Sequence, residues 1–379
     1  MESKTFPLPN QSIILDFGSS LIKSGFSGQS TPSNFSPNIV GYFKNDDLIE
    51  LRDNDSRAFL TSNIAMSHKG QLKLHHPVNR GRIEDWNELE GVLDNIFQQE
   101  LNVDVASRNV MIIEQPFNPR QNRIKLSEYL IETCQSSGVY FVSSALCSLY
   151  ASGVTTGIVV DSGDGCTTVT PIIQNRILTH SIQRSEYGGR DITSRLRHLL
   201  RLEGHSFTSS SEFEVVREIK EELCFISSDI QADRGKQHTN SFAATFTLPD
   251  KSEITLNGER FQAPELLFDP SLVGSEEAGV DEMFENALSL SDVDCRPVLC
   301  QTISLSGGST LFPGFPQRFL NNIRTRLQPQ FPLKIKAPKD RLLSPWIGAS
   351  VLASQEIMSN LWITPQRYHS EGPNLFYQE

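Results

Sequence analysis

Residues 157–165 read Gly-Ile-Val-Val-Asp-Ser-Gly-Asp-Gly. The apolar run predicts a buried strand, and the four residues that end the stretch predict a tight turn into a return strand. The same order opens the chain, where the strand 12–16 precedes the turn 17–20 and the return strand 21–26. Each of the two strands ends in an aspartate, Asp16 or Asp161. This internal repeat predicts a duplicated α/β lobe.

Apolar periodicity predicts further elements. Helices are expected over residues 85–101, 122–134, 144–151, 211–227 and 317–327, strands over 109–113, 139–142 and 303–305, and a hairpin over 242–256. Ser211 and Glu214 fit a capping box at the start of the fourth helix. The polar segment 41–75, with its runs Asn45–Asp47 and Arg52–Asp55, is expected to form a small peripheral lobe with weak structure. The tail from Gly372 is expected to be loose.

Composition excludes several classes of protein. The 379 residues include 45 acidic and 34 basic side chains, a net charge of −11, which argues against direct nucleic-acid binding. No apolar run approaches the roughly 18 residues of a membrane helix, and the N-terminus lacks the apolar core of a signal peptide. The six cysteines form no CxxC pair, so we expect free thiols in the cytosol or nucleus.

Three glycine-rich turns follow strands and could carry chemistry. Glycine lets a backbone approach a ligand closely and lets adjacent N–H groups point at one anion. The turns contain Asp16, Gly18, Ser19 and Ser20; Asp161, Ser162, Gly163, Asp164 and Gly165; and Gly307, Gly308 and Ser309. Two such hairpins could clamp a polyphosphate, with Asp16 and Asp161 holding a hydrated Mg²⁺ and Lys23 supplying a compensating charge. Neither a Walker A loop nor a Rossmann fingerprint is present.

Several stretches, spread over nearly the whole chain, resemble the sequences of actin and the actin-related proteins. The matching stretches are Lys23–Gly28, Leu149–Gly153, Thr155–Gly165, Gly189–Asp191, Ile219–Glu221 and Trp346–Ser350. The resemblance implies an α/β fold of the actin type, with two lobes of duplicated βββαβα units around a nucleotide cleft. It implies a first-lobe core at 1–40, 76–150 and 343–379 with a peripheral part at 41–75. The second lobe would have its core at 151–187 and 277–342 and its peripheral part at 188–276.

The resemblance also implies bound ATP or ADP with Mg²⁺. By position, Asp16, Gly18, Ser19 and Lys23 match the first phosphate loop, and Asp161 and Gly163–Gly165 match the second. The positions that match the surroundings of the ribose and adenine are Gly189, Arg217, Lys220, Glu221, Gly307, Gly308 and Ser309. Phe312 is also expected to bind the cofactor. Without the resemblance, the charged residues of the predicted helix 211–227 would be read as a solvated face.

Three positions depart from the family pattern. Ser144 stands where the family has a glutamine, and Thr168 where it has a histidine; both family residues position the water that attacks ATP. Water orientation is a large part of catalysis when the transition state is loose. We therefore expect ATP to be bound but hydrolysed very slowly, if at all. Leu342 replaces a lysine that covers the adenine, which predicts apolar packing on the base.

Within the family, further runs are most similar to the centractin subfamily, whose members build the short filament of dynactin. These runs include Ser209–Glu214, Arg260–Phe268 and Leu305–Phe312. The similarity implies a homo-oligomeric short filament with dynactin subunits and dynein as partners, in the cytoplasm and cytoskeleton. The C-terminal residues Leu375–Glu379 and the 41–75 lobe depart from the family, so filament contacts are expected to be altered.

Three other functions remain open from the sequence. A nuclear actin-related subunit of a chromatin-remodelling complex could also bind ATP without hydrolysing it. A divergent conventional actin would form long filaments and turn over ATP. A sugar kinase would need a carboxylate poised to take a proton from a substrate hydroxyl, and the sequence offers no candidate beyond Asp16 and Asp161.

Overall fold

The chain folds into two compact units. A computed structural model of the protein describes residues 11–44, 59–236, 239–327, 329 and 331–376. Unit 1 comprises the chain up to Val154 together with the part from Leu343 onward, and unit 2 comprises Thr155–Leu342. The finer division of each unit into a core and a peripheral part stays a prediction.

Up to Val154, the part of unit 1 that the structure describes forms ten strands and four α-helices. The strands are β1 (Ile13–Phe17), β2 (Leu21–Phe26), β3 (Asn34–Pro37), β4 (Val40–Phe43), β5 (Leu60–Thr61), β6 (Leu72–His75), β7 (Val78–Asn79), β8 (Arg82–Ile83), β9 (Asn109–Glu114) and β10 (Gly138–Ser143). The helices are α1 (Ser62–Ser67), α2 (Trp86–Asn95), α3 (Arg120–Glu128) and α4 (Ser144–Ala151). Asp85 caps α2 by accepting a hydrogen bond from the N–H of Glu88, which satisfies one of the unpaired donors of the first turn.

The main sheet of unit 1 has the order β10-β9-β1-β2-β3. Strands β1, β9 and β10 are parallel, whereas β2 runs antiparallel to β1 and β3. Both faces of β1 are buried because Ile13 and Leu15 lie in one apolar cluster and Ile14 lies in another. The carboxyl ends of three parallel strands therefore meet at one edge of the sheet, the usual place for a ligand in an open α/β sheet.

The described residues of unit 2 form eight strands and seven α-helices. The strands are β11 (Gly157–Ser162), β12 (Thr167–Ile173), β13 (Arg176–Ile177), β14 (Gln183–Ser185), β15 (Ala244–Thr247), β16 (Glu253–Leu256), β17 (Ile303–Ser306) and β18 (Ile335–Lys336). The helices are α5 (Gly189–Leu202), α6 (Ser210–Leu223), α7 (Ile230–Arg234), α8 (Glu259–Gln262), α9 (Val280–Leu290), α10 (Arg296–Cys300) and α11 (Phe315–Arg326). Short 3₁₀ helices lie at Thr179–Ser181, Asn240–Phe242, Pro264–Leu267, Pro270–Val273, Val293–Cys295 and Gly308–Leu311.

The main sheet of unit 2 repeats the topology of unit 1. Its order is β13-β12-β11-β17-β18, with β14 added alongside β12. Strands β11, β17 and β18 are parallel, and β12 is antiparallel to β11 and β13. Position for position, this is the arrangement of β3-β2-β1-β9-β10. The predicted internal repeat is confirmed, and it extends beyond the hairpins to the whole central sheet.

Two helices complete unit 1, α12 (Ser344–Ala353) and α13 (Pro365–Glu371), with 3₁₀ turns at Glu356–Asn360 and Gly372–Phe376. Helix α12 packs on α4 and on the face of the sheet that carries Ile14, and its buried Trp346 donates to the Ile14 carbonyl at 3.4 Å. The two helices approach closely at Gly348, where a Cβ atom would lie 1.8 Å from the Cys147 carbonyl oxygen. Only glycine fits at this crossing. Among the described residues no helix is long and apolar enough to cross a membrane.

The structure finds three predicted helices with different ends and corrects one predicted cap. The helices expected at 85–101 and 122–134 end as π-helical turns, Ile96–Glu100 and Tyr129–Thr133. The helix expected at 211–227 is α6 and ends at Leu223, because Cys224 is extended. Its capping box is Ser209 with Glu212, not Ser211 with Glu214. Glu214 is buried inside the helix and pairs with Arg217 at 2.7 Å.

In two segments the described residues have more structure than the sequence predicts. The tail was expected to be loose from Gly372, but Leu375 and Phe376 are buried, and the Phe376 ring packs edge-on against Phe141 at 5.9 Å. The described residues of the peripheral segment, 41–44 and 59–75, contribute to a sheet of order β5-β4-β6 and to α1, with an apolar cluster around Ile39 and Leu72. The polar runs at 45–47 and 52–55 lie outside the described residues.

Candidate functional site

The two aspartate hairpins share one turn geometry. In the first, between β1 and β2, the N–H of Gly18 donates to the Leu21 carbonyl at 3.1 Å. In the second, between β11 and β12, the N–H of Gly163 donates to the Cys166 carbonyl at 3.0 Å. The bond joins equivalent residues, since each glycine is two positions beyond its aspartate. Both turns end a central strand, at the sheet edge where parallel strands finish.

The first turn is held by polar contacts within unit 1. Lys23 donates to Asp16 Oδ2 at 2.6 Å, and both side chains are buried. The N–H of Gly81 donates to Ser19 Oγ at 3.1 Å, and Asn38 Nδ2 donates to the Gly18 carbonyl at 2.9 Å. The hairpin β7–β8 therefore docks on the turn through Gly81. Gly81 and Asn38 were missed in the sequence, because neither lies beside a predicted glycine-rich turn.

The second turn is docked on the N-terminus of α5. The N–H groups of Gly189 and Arg190 donate to the carbonyls of Gly163 and Asp164, each at 2.9 Å. Arg190 also lies 3.4 Å from the Asp164 carboxylate. A Cβ atom at Gly188 would lie 2.6 Å from the Asp164 carbonyl oxygen, so the helix start comes as close to the turn as glycine allows.

Lys220 and Ser309 lie against the same turn and helix start. Lys220 Nζ donates to the Gly189 carbonyl at 3.0 Å, and Ser309 Oγ donates to the Gly163 carbonyl at 2.8 Å. Burial lowers the pKa of Lys220 from the ordinary lysine value, while the carboxylate of Asp164 acts in the opposite direction. Four predicted site residues of unit 2 thus meet at one place, although they come from four separate stretches of sequence.

Gly307 and Gly308 differ in what surrounds them. Gly307 has φ +85°, and a Cβ there would lie 2.3 Å from the Ser162 carbonyl oxygen and 2.6 Å from Asp161 Oδ1. This glycine is required by the protein itself, because the backbone after β17 presses on the end of β11. A Cβ at Gly308 would meet only Leu342 Cδ1, at 3.5 Å. Leu342 therefore lies beside the glycine that the resemblance assigns to the nucleotide.

The residues around Asp161 fit a hydrated cation. Thr168 pairs with Asp161 across the antiparallel strands, so the two side chains share a face. Both are buried, and Thr168 Oγ1 has no hydrogen-bond partner among the described residues. An orphaned buried hydroxyl beside a carboxylate suits a water-bound ion such as Mg²⁺. The described ranges contain no cluster of three or more His, Cys, Asp and Glu that could hold a metal ion.

Room for a ligand remains at the second turn. A Cβ atom added to Gly163 would meet nothing closer than the Cys166 carbonyl oxygen, at 3.9 Å. The protein thus does not need glycine there for its own packing. Because position 163 has no Cβ, the space beside this turn stays open to a phosphate.

Several predicted site residues make their observed contacts elsewhere, away from the two turns or within a single hairpin. Arg217 pairs with Glu214 at 2.7 Å and with the exposed Glu221 at 3.0 Å, so both predicted residues take part in an ion-pair row along α6. Phe312 lies in the apolar core of unit 2. Ser162 Oγ bonds to Thr167 Oγ1 at 2.8 Å within its own hairpin. The roles of these residues toward a ligand stay predictions.

Ser144 begins α4, directly after β10, and is fully buried. Its hydroxyl donates to Oε1 of Gln115, at 3.1 Å. Gln115 directly follows β9, the strand parallel to β10, so the two side chains meet at the edge that also carries the first turn. Gln115 was missed by sequence reasoning, although its place between a strand and Pro116 marks it as a strand-end residue.

This arrangement agrees with a match to a known protein family. A family model described as Actin matches residues 8–378, nearly the whole chain. The match covers both hairpins, the α5 and α6 positions and the turn after β17. The duplicated sheet, the paired aspartate turns and this match lead to one conclusion: the chain belongs to the actin family, with its α/β fold of two units.

Proposed function

We propose that the protein is an actin-related, structural protein that binds ATP or ADP with Mg²⁺ and forms the short filament of a dynactin-type complex. The observation that supports nucleotide binding best is the repeated turn, in which equivalent glycines after Asp16 and Asp161 make the same backbone bond. Members of the actin family generally bind a nucleotide with a divalent metal.

Named residues would hold each part of the nucleotide. The N–H groups of Gly18 and Gly163 bond within their own turns, so the other backbone N–H groups of the two turns would face the phosphates and form an anion-binding concavity. Asp16 and Asp161 would bind the hydrated Mg²⁺, which when bound neutralises phosphate charge. Lys220, Ser309 and Leu342 would surround the sugar and base. Because Leu342 has no charge, packing rather than a cation would cover the base.

Hydrolysis is expected to be slow. Thr168 offers a hydroxyl where an imidazole would be needed, and Ser144 has too short a side chain to reach an attacking water by itself. A bound nucleotide nevertheless stabilises the folded state by mass action and needs no turnover for that. Actin-family proteins generally form filaments and are typically cytoskeletal. Head-to-tail stacking of such protomers is a heterologous contact and gives an open polymer.

Nucleotide binding is tested on the purified full chain. Protein extracted without added nucleotide should release about one adenine nucleotide per chain on acid treatment, with Mg²⁺ measured alongside. Gly163→Ala and Gly308→Ala should each lower this content, because the added Cβ would enter ligand space while the protein accommodates it. Gly70→Ala is the matched control, since nothing lies within 4 Å of its added Cβ. Wild-type protein without nucleotide would contradict the proposal.

The partners require a second experiment. Mass spectrometry of the complex purified through the tagged full chain should identify dynactin and dynein subunits together with several copies of this chain. Recovery of a helicase-type remodeller instead would support the nuclear alternative and refute the dynactin assignment. Long homopolymers with fast phosphate release would support a divergent conventional actin.

A further inference from the structure

Gln115 lies where an amide side chain could act on a bound polyphosphate. It is the first residue after β9, and β9 pairs in parallel with β1 such that Ile113 is opposite Asp16. With a rise of about 3.3 Å per residue, Gln115 is about 7 Å further along the strand direction than Asp16. This is the level of the first turn, which leaves β1 at the same edge.

Contacts connect Gln115 to that turn on one side and to α4 on the other. A Cβ atom at Gly81 would lie 3.6 Å from Gln115 Cγ, so the aliphatic part of the side chain packs beside Gly81. The N–H of Gly81 donates to Ser19 Oγ at 3.1 Å. On the other side, the fully buried Ser144 donates to Gln115 Oε1 at 3.1 Å. The amide is therefore held between the first turn and the start of α4.

A carboxamide suits the orientation of an attacking water because it combines an acceptor oxygen with two donor hydrogens. A water that attacks a phosphoryl group is oriented by two partners. One accepts a hydrogen bond from the water and the other donates one to it, so that the remaining lone pair of the water points at the phosphorus. Ser144 fixes the Gln115 rotamer by binding Oε1, which lowers the entropy that the amide would lose on binding a water.

We propose that Gln115 orients the attacking water for the residual ATP hydrolysis of this protein, with Ser144 as its positioning residue. The inference rests on the proposed nucleotide binding. In the reaction, the water oxygen forms a bond to the γ-phosphorus while the bond from γ-phosphorus to the β–γ bridging oxygen breaks. ADP leaves with the electron pair of that bond, and the proton of the water passes to the released phosphate. Although residue 144 is a serine, this sheet edge still carries an amide, because Gln115 follows the neighbouring strand β9.

The test uses the full chain and two probes, ADP alone and ADP with aluminium fluoride, which mimics the phosphoryl group in transfer. Gln115→Ala should leave the affinity for ADP within about twofold and weaken the aluminium fluoride complex about tenfold or more. Phosphate release from bound ATP in a single turnover should fall by a similar factor. Gln115→Glu keeps the size of the side chain but removes its N–H donors, so it should also weaken the aluminium fluoride complex and slow phosphate release. Because it leaves no cavity, a loss in this variant would not be due to misfolding. Gln99→Ala is the matched control at an exposed glutamine.

Ser144→Ala should give a smaller loss of a few fold, because the amide stays and only its anchor is removed. Wild-type protein that binds neither probe would refute the proposed function. Wild-type protein that binds both, with variants at Gln115 that bind the aluminium fluoride complex as tightly as the wild type does, would refute the role of Gln115 alone. Where phosphate release is too slow to measure, the ratio of the two affinities decides.

Discussion

Replacing Gly307 by alanine tests whether the turn after β17 fixes the position of the second aspartate. Gly307 has φ +85° and ψ 154°, a region that residues with a Cβ scarcely enter. Its added Cβ would lie 2.3 Å from the Ser162 carbonyl oxygen and 2.6 Å from Asp161 Oδ1. At such distances something must shift, and two of the three nearest atoms belong to the backbone of β11.

The cost has two parts. A non-glycine residue held in this backbone region costs about 1–3 kcal/mol. Forcing an extra methyl group against packed backbone costs about 1–3 kcal/mol more. The free energy of unfolding of unit 2 should therefore fall by about 2–6 kcal/mol. The matched variant Gly308→Ala has no positive φ and meets only Leu342 Cδ1 at 3.5 Å, so its stability should change by less than about 1 kcal/mol.

Hydrogen exchange measured by mass spectrometry separates the two units. The three tryptophans, Trp86, Trp346 and Trp362, all lie in unit 1, so their fluorescence would not report on unit 2. Without nucleotide, peptides from β11 and β17 of Gly307→Ala should open about 30-fold more often or more, from a loss of about 2 kcal/mol. Equal protection in Gly307→Ala and Gly308→Ala would refute the reasoning.

Three further changes separate stability from binding. Lys220→Met should raise the unfolding free energy of the nucleotide-free protein at pH 7 and weaken nucleotide binding. Burial lowers the folded-state pKa of Lys220, so below the ordinary lysine pKa the charged amine destabilises the fold. The gain in stability, measured by urea unfolding, should therefore shrink as the pH rises toward the ordinary lysine pKa. Arg318→Met should cost about 3–5 kcal/mol in the same assay, because it strands the buried Glu265, whose carboxylate Arg318 contacts at 2.7 Å; a loss below about 1 kcal/mol would contradict this. Phe376→Ala should cost about 3–5 kcal/mol through the contact with Phe141, and tryptophan fluorescence during unfolding would detect it; an unchanged midpoint would mean that the tail does not stabilise unit 1.

The central strands could be predicted from sequence because two local signals agree there. Apolar runs of strand length end at glycine-rich turns, and the predicted strand at 21–26 is found with the same bounds. The aspartate turns followed from the same pattern. Helix ends were less predictable because two serine–glutamate pairs compete at the start of α6. The choice is made by tertiary packing, which buries Glu214 and leaves Glu212 to cap the helix.

Contacts between distant strands could not be predicted in this way. Gln115 and Ser144 are 29 residues apart in sequence, and each looks unremarkable in its own segment. They meet because β9 and β10 pair in parallel with Glu114 opposite Ser143, which brings the residues after both strands side by side. The buried tail was missed for a similar reason, since the partner of Phe376 lies on β10. Such pairings depend on register, which local periodicity does not determine.

The close crossing of α4 and α12 limits how this region can evolve and move. Because even a methyl group at position 348 would overlap the Cys147 carbonyl, no stepwise increase in side-chain size at this position could move the two helices apart. Two helices in direct backbone contact transmit a displacement with little give between them. A push on Ser144, the first residue of α4, would thus reach the buried Trp346 side and the sheet beneath it as a rigid-body shift of the helix pair.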